Sequence, residues 1–332
     1  MDGSDPLPAG EKQDAKSIRL QTEVKNRVVK ELKVKKKSNW KRQWPLYAMI
    51  AVPALLLLIY SYGPMFGIVM SFQKFEPTLG FFRSKWVGME NFKRLVHMPD
   101  IWLIVRNTFF IATMKILLGT IAAIIVAILL NELTQRIFKR SVQTIIYAPY
   151  FLSWVILGGI FREMLSRDGL MNGFLGLMGM QPVNFLGDSS VFPWVVILTD
   201  LWQMTGFNAI VYLAAITNIS PSLYEAAAMD GAGRWKQVMK ITIPGISSYI
   251  ALMTILNMGY ILNAGLDQIL MLYSPSVYST GDVIDTWVYR AGLKSAQYSL
   301  ASTVGLLRSI VSCVLVSLSY YIAKKKWDYN VF

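Results

Sequence analysis

The chain has one histidine, one cysteine and few charges for its 332 residues, and each shortage excludes a class of function. With His97 alone, an H-E-x-x-H zinc site cannot form. His97 falls in a polar loop, where a solvated imidazole is expected. Cys313 alone excludes an intrachain disulfide and leaves the redox compartment unreadable. No G-x-x-x-x-G-K-[ST] phosphate loop occurs, so the chain brings no P-loop of its own to ATP. Gly173, Gly176 and Gly179 recur at three-residue spacing, but without the preceding strand that a dinucleotide fold requires. No nucleophile–base set stands out, so neither catalytic residues nor metal ligands nor a bound cofactor are expected. Charged residues are only 16% of the chain against 54% hydrophobic, which is too apolar for a soluble domain of this length.

What is present is a series of long apolar runs. About 20 residues of helix cross a bilayer core, and six segments qualify: Leu46–Ser71, Asn107–Leu130, Val142–Ile160, Val191–Ile216, Ile246–Leu262 and Leu300–Ala323. Within them only Lys115, Asp200 and Arg308 are charged. The predicted fold class is therefore all-α, a polytopic membrane protein with six transmembrane helices.

Lys and Arg favour the cytoplasmic side of short loops. Twelve precede Leu46, and three each fall at 136–140, 234–240 and 324–326, against six, two and two in the alternate loops. Both termini and the loop around residue 225 are thus expected inside. This bias also accounts for the net charge of +13 without a nucleic-acid partner. The predicted organisation is a basic cytoplasmic tail at 1–44, disordered or partly helical and able to touch anionic membrane lipid, followed by a transmembrane domain at 45–332. No cleavable signal peptide is expected, because the first apolar run begins far from Met1.

Between the fourth and fifth apolar segments lies a short polar island, 218–245. Ser220-Pro221 can start a helix, since proline at the first helical position lacks an N–H that would go unpaired anyway. Ser222 and Glu225 also have capping-box spacing. Small Ala226, Ala227 and Ala228 allow close approach of a partner, and Gly231 permits a sharp turn or C-cap. Glu225-Ala226-Ala227, Gly231 and Ile241-Thr242-Ile243-Pro244 resemble the "EAA" signature of binding-protein-dependent ABC importer permeases in every spacing, departing only at Ile243, where the family usually has leucine.

The resemblance implies a type I ABC importer permease fold. It further implies that this loop is a cytoplasmic coupling helix docking on an ATPase subunit, with Glu225, Ala226, Ala227, Asp230, Gly231 and Pro244 as coupling residues. The implied partners are a second permease, two ATPase subunits that bind the ATP and Mg, and an extracytoplasmic solute-binding protein. The location is the cytoplasmic membrane of a bacterium. A competing reading, an ion-coupled secondary sugar transporter or channel, would be favoured by inverted repeats, and none is visible.

Two further regions extend the resemblance over residues 45–332. Trp86-Val87-Gly88-Met89-Glu90-Asn91-Phe92 is similar to the first external loop of carbohydrate-uptake permeases. The stretch from Tyr273 through Arg290 to Tyr298, with Tyr329–Phe332, is similar to permeases for complex or uronate-containing saccharides. An oligosaccharide substrate is the implication.

Polar groups inside a bilayer are costly and commonly face a cavity or a partner. Asp200 and Gln203 are three apart before the polar island, and Asn257 and Tyr260 three apart after it. By the resemblance, those segments line the sugar pathway, with Trp202 and Tyr260 available to stack on pyranose rings. Asp200 can equally pair with Lys115 or Arg308, which are also the candidate counter-charges for an acidic substrate.

Overall fold

The computed structural model describes residues 40–327; the tail residues 1–39 and the end 328–332, which includes Tyr329–Phe332, lie outside the described residues. The chain divides into two compact units, one up to Phe66 and one from Gly67. The first unit holds α1 (Trp40–Leu57), which continues through a π-turn at Leu58–Tyr62 into 3-10 turns that start at Gly63. Gln43–Phe72 is long and apolar enough to cross a membrane, and residues such as Ile50, Leu56 and Tyr60 are exposed. A helix that is apolar all round cannot be solvated by water, so its surroundings are lipid or protein.

In the second unit the spine is α2 (Ile101–Glu132) packed against α5 (Phe192–Thr217). Their buried faces repeat every three or four residues, as Ile104, Thr108 and Ile111 on α2, and Val196, Thr199, Gln203 and Gly206 on α5. Lower down the interface narrows to small side chains, where Ala123 and Ala127 meet Ala209 and Ala215 beside Tyr212 and Ile246. Small residues let helix backbones approach closely in lipid, where dispersion rather than the hydrophobic effect drives association. The last long helix is α9 (Tyr298–Trp327).

Two of the six predicted spans are not single helices. The third is α3 (Arg136–Tyr147) running on to Phe151, then α4 (Trp154–Met164) after a bend of 100°. Pro149 and the new N-cap at Ser153 supply the reason: proline withholds an N–H, and the Ser153 side chain accepts from Ile156 N–H to start a fresh helix. The fifth begins just after a 57° bend between Arg234–Gly245 and α7 (Ser247–Met258), and α7 stops at Met258, so the last four predicted residues, 259–262, form turns.

One contact here gives a stability test. A Cβ on Gly206 of α5 would lie 2.2 Å from the Ile146 carbonyl oxygen of α3. Backbone cannot retreat as a side chain can, so Gly206→Ala is expected to force the helices apart at a cost of about 1–3 kcal/mol. A lower unfolding temperature in detergent checks it, and an unchanged one refutes it.

The loop motif at 86–92 folds into a fastener. β1 (Gln73–Lys74) pairs antiparallel with β2 (Lys85–Trp86). Gly88, at φ +58°, turns the chain so that its N–H and that of Val87 both reach the Phe72 carbonyl. Buried Asn91 donates to the Ser71 and Gln73 carbonyls, each at 2.9 Å, and Trp86 stacks on Phe72 at 5.8 Å. Ser299 Oγ of α9 accepts from Phe75 N–H at 2.8 Å. The W-V-G-x-x-N-F pattern therefore carries loop geometry.

Candidate translocation cavity and coupling loop

A cavity of about 350 Å³ opens between α2, α5, α7 and the turn that follows α7. Its polar lining is Lys115 and Thr120 from α2, Asp200, Asn208 and Tyr212 from α5, and Asn257, Tyr260 and Asn263 from α7 and beyond. Three of the four predicted pathway residues, Asp200, Asn257 and Tyr260, are in this wall. Tyr260 sits past the end of α7, so it reaches the cavity from a turn and not from a shared helix face with Asn257. Tyr260 is 68% exposed and forms the rim.

Gln203 is placed elsewhere. It is buried on the other side of α5, and its Nε2 donates to the Leu152 carbonyl at 2.9 Å, at the bend between α3 and α4. A broken membrane helix frees backbone groups that need partners, and Gln203 supplies one. Trp202 likewise points away from the cavity and meets Phe161 edge-on at 5.7 Å. Asn208, Asn263 and Thr120 escaped the sequence reading. The signal for Asn208 was present: Asp200, Met204, Asn208 and Tyr212 recur every fourth residue, which holds one face of a helix over three turns.

The side-chain amides of Asn208 and Asn257 make no hydrogen bond among the described residues, although both are half-buried. Half-buried amides with open donors and acceptors on a cavity wall suit a ligand rich in hydroxyls. The charged pair in the wall is differently engaged. Lys115 Nζ donates to Asp200 Oδ1 at 2.9 Å, to the Ala264 carbonyl at 2.8 Å and to Gln268 Oε1 of α8 (Leu266–Leu272). Arg308, the other candidate counter-charge, is bound to Asp285.

Outside the spans, the 273–290 loop is cross-braced. Arg290 grips both carboxylate oxygens of Asp282, at 3.1 and 2.5 Å, and lies over the Tyr278 ring at 4.5 Å. The bond to Asp282 raises the Arg290 pKa, so this guanidinium stays charged. Burial pushes the Tyr273 phenol up to about 12, so it remains a neutral donor at any physiological pH.

The polar island forms α6 (Pro221–Met229), with Ser220 as N-cap residue and Pro221 in the first turn. The Ser222–Glu225 capping box does not form: Ser222 Oγ bonds Ser220 Oγ, and Glu225 is exposed with no hydrogen bond among the described residues. The helix closes as a Schellman motif, with Ala232 N–H to the Ala227 carbonyl at 2.8 Å and Gly231 N–H to that of Ala228 at 3.0 Å. Gly231 takes φ +74°, and Asp230 is the C-cap. Tyr224 OH, 2.9 Å from Thr242 Oγ1, ties α6 to the chain entering α7 just before Pro244. Leu223, Met229 and Trp235 stay exposed, Met229 at 88%. Apolar side chains standing out of a polar loop mark a contact surface.

A family model described as binding-protein-dependent transport system inner membrane component matches residues 115–329. The chain is 38% identical over 288 residues to the polygalacturonan/rhamnogalacturonan transport system permease protein YteP of Bacillus subtilis, covering 86% of this chain and 90% of that one. It is 36% identical over 311 residues to the protein LplB of the same organism, covering 92% and 98%. Among solved structures, a bacterial ABC transporter importing the acidic polysaccharide alginate superposes with a TM-score of 0.80 at 35% identity, over 87% of this chain and 98% of that one. The same transporter in complex with an alginate pentasaccharide-bound periplasmic protein gives 0.81 at 34%, over 88% and 98%. The chain is a membrane-spanning transport subunit and belongs to the binding-protein-dependent transport system inner-membrane components, the permeases of ABC importers.

Proposed function

We propose that this permease carries an oligosaccharide containing uronic acid units inward across the cytoplasmic membrane of a bacterium. It works beside a second permease, two ATPase subunits that hold ATP and Mg, and an extracytoplasmic binding protein that delivers the sugar. The observation that carries the reading is the cavity wall, where open amides of Asn208 and Asn257 and the rim of Tyr260 stand beside a charged pair. Relatives that import polygalacturonan, rhamnogalacturonan and alginate support the acidic class. The ion-coupled transporter and channel readings fall with the family assignment.

Coupling runs through 218–245. Glu225, Ala226, Ala227, Asp230 and Gly231 lie on or at the end of α6, the exposed apolar residues offer the ATPase a seat, and Pro244 marks where a push on the loop enters α7 and the cavity wall. The test is reconstitution of the four-subunit complex in vesicles, with uptake of oligogalacturonate or oligoalginate measured with and without ATP. Uptake driven by an ion gradient without ATP would refute the assignment.

Both termini and the coupling loop are assigned to the cytoplasm. In a Cys313→Ala background, single cysteines at Asp168 or Ser276 are expected to react with an impermeant thiol reagent added outside. Cysteines at Thr134 or Lys236 are expected to react only after the membrane is opened. The reverse pattern would overturn the orientation.

A further inference from the structure

We propose that Lys115 reads the carboxylate of the saccharide, and that Asp200 is a resident carboxylate which the substrate displaces. The inference rests on the uronate reading above and adds the residues that recognise the charge. Lys115 Nζ has three donors, and all three are used. Two of the acceptors belong to the scaffold. Ala264 is fully buried beside Gly265, which holds φ +96°. Gln268 is 1% exposed and is itself pinned, its Nε2 donating to the Val196 carbonyl at 2.7 Å and to Thr199 Oγ1 at 2.8 Å. The third acceptor, Asp200, stands on the cavity wall with a fifth of its side chain (20%) exposed.

A buried ammonium cannot be left without a counter-charge, since the unpaired ion costs several kcal/mol. A carboxylate arriving in the cavity meets that requirement as well as Asp200 does. Exchange therefore keeps Lys115 paired and leaves Asp200 without its counter-charge, so the sugar hydroxyls must compensate that carboxylate. The freed Asp200 carboxylate has two oxygens spaced to accept from neighbouring sugar hydroxyls. A neutral saccharide offers hydroxyls to Asp200 but nothing to replace it on Lys115. Nearby Asp285 does not compete for the ammonium, because Arg308 already holds it. Lys115 and Asp200 are the only charged side chains in the wall among the described residues.

Reversal moves the ammonium from α2 to α5 and sets a carboxylate against the Ala264 carbonyl and Gln268 Oε1, so restored uptake overturns the proposal and the positive support comes from Asp200→Asn. The experiment uses the complete importer in vesicles with its binding protein loaded with oligogalacturonate or oligoalginate. Lys115→Asp combined with Asp200→Lys is expected to copurify with its partner subunits yet to lower uptake at least about tenfold. Restored uptake would overturn the proposal. Should the reversed pair fail to assemble, Asp200→Asn decides: removing the resident competitor while keeping its size is expected to lower the apparent KM for the loaded binding protein by roughly threefold or more. An unchanged or raised KM overturns the proposal. Wild-type complex that transports neutral but no uronic oligosaccharide would refute the proposed substrate class itself, a result separable from either variant.

Discussion

Gly231→Pro is expected to abolish ATP-driven uptake while the protein still inserts in the membrane and copurifies. Gly231 sits at φ +74° just past α6, and its N–H closes the Schellman motif on Ala228. Proline fixes φ near −65° and has no N–H, so it cannot take the conformation and cannot make the bond. The end of α6 must then unwind or redirect the chain carrying Ala232 and the exposed Trp235. Nothing lies within 4 Å of a Cβ built at Gly231, so Gly231→Ala meets no steric clash and pays only the left-handed backbone penalty of about 1–2 kcal/mol. The pair therefore separates shape from bulk: alanine is expected to reduce uptake partly, and proline to eliminate it. Uptake and binding-protein-stimulated ATP hydrolysis, measured in the same vesicles, make the comparison. Wild-type uptake by Gly231→Pro would show that the loop's geometry does not transmit the stroke.

Asn257→Leu is expected to lower uptake roughly tenfold, since a lost hydrogen bond that strands a buried polar partner costs about 1–3 kcal/mol. Leucine matches the amide in size but offers no donor or acceptor to sugar hydroxyls, and the Asn257 side chain makes no hydrogen bond among the described residues. The effect should therefore fall on transport and not on assembly. Tyr260→Ala removes an aromatic rim that is 68% exposed and is expected to act in the same direction through lost stacking. Uptake at several saccharide concentrations, with copurification as the assembly control, is the measurement. If both variants transport at the wild-type rate, the sugar is held mainly by the partner permease, and this chain contributes coupling surface.

The backbone geometry of the 218–245 loop was legible in the sequence because its constraints are local. Pro221, Gly231 and Pro244 each act on their own backbone, so the helix start, the left-handed C-cap and the bend before α7 follow from residue type and spacing. Ser222 and Glu225 show the limit of that logic. Their spacing fits a capping box, but Ser220 with Pro221 begins the helix two residues earlier, and the box has no end to cap.

Apolar length and the Lys/Arg bias determined an all-α membrane protein and set the expected orientation, because the cost of burying polar groups in lipid acts on every residue separately. The family was legible as a resemblance in the motif spacing, and the matching family model bears it out. The tertiary structure alone decided which polar residues face a common cavity. Asp200 and Gln203 looked equivalent at three-residue spacing, yet α5 sends one to the cavity and the other to the Leu152 carbonyl at a helix break. That break, a 100° bend inside a predicted single span, arises where α3 gives way to α4 and creates the unpaired carbonyl Gln203 serves. Likewise, Asp200 could pair with Lys115 or Arg308 until α2, α5 and α8 met around the Lys115 ammonium. Lipid exposure is a property of single segments and can be read along the chain, whereas hydrogen-bond satisfaction is a property of several segments together and exists only once they have packed.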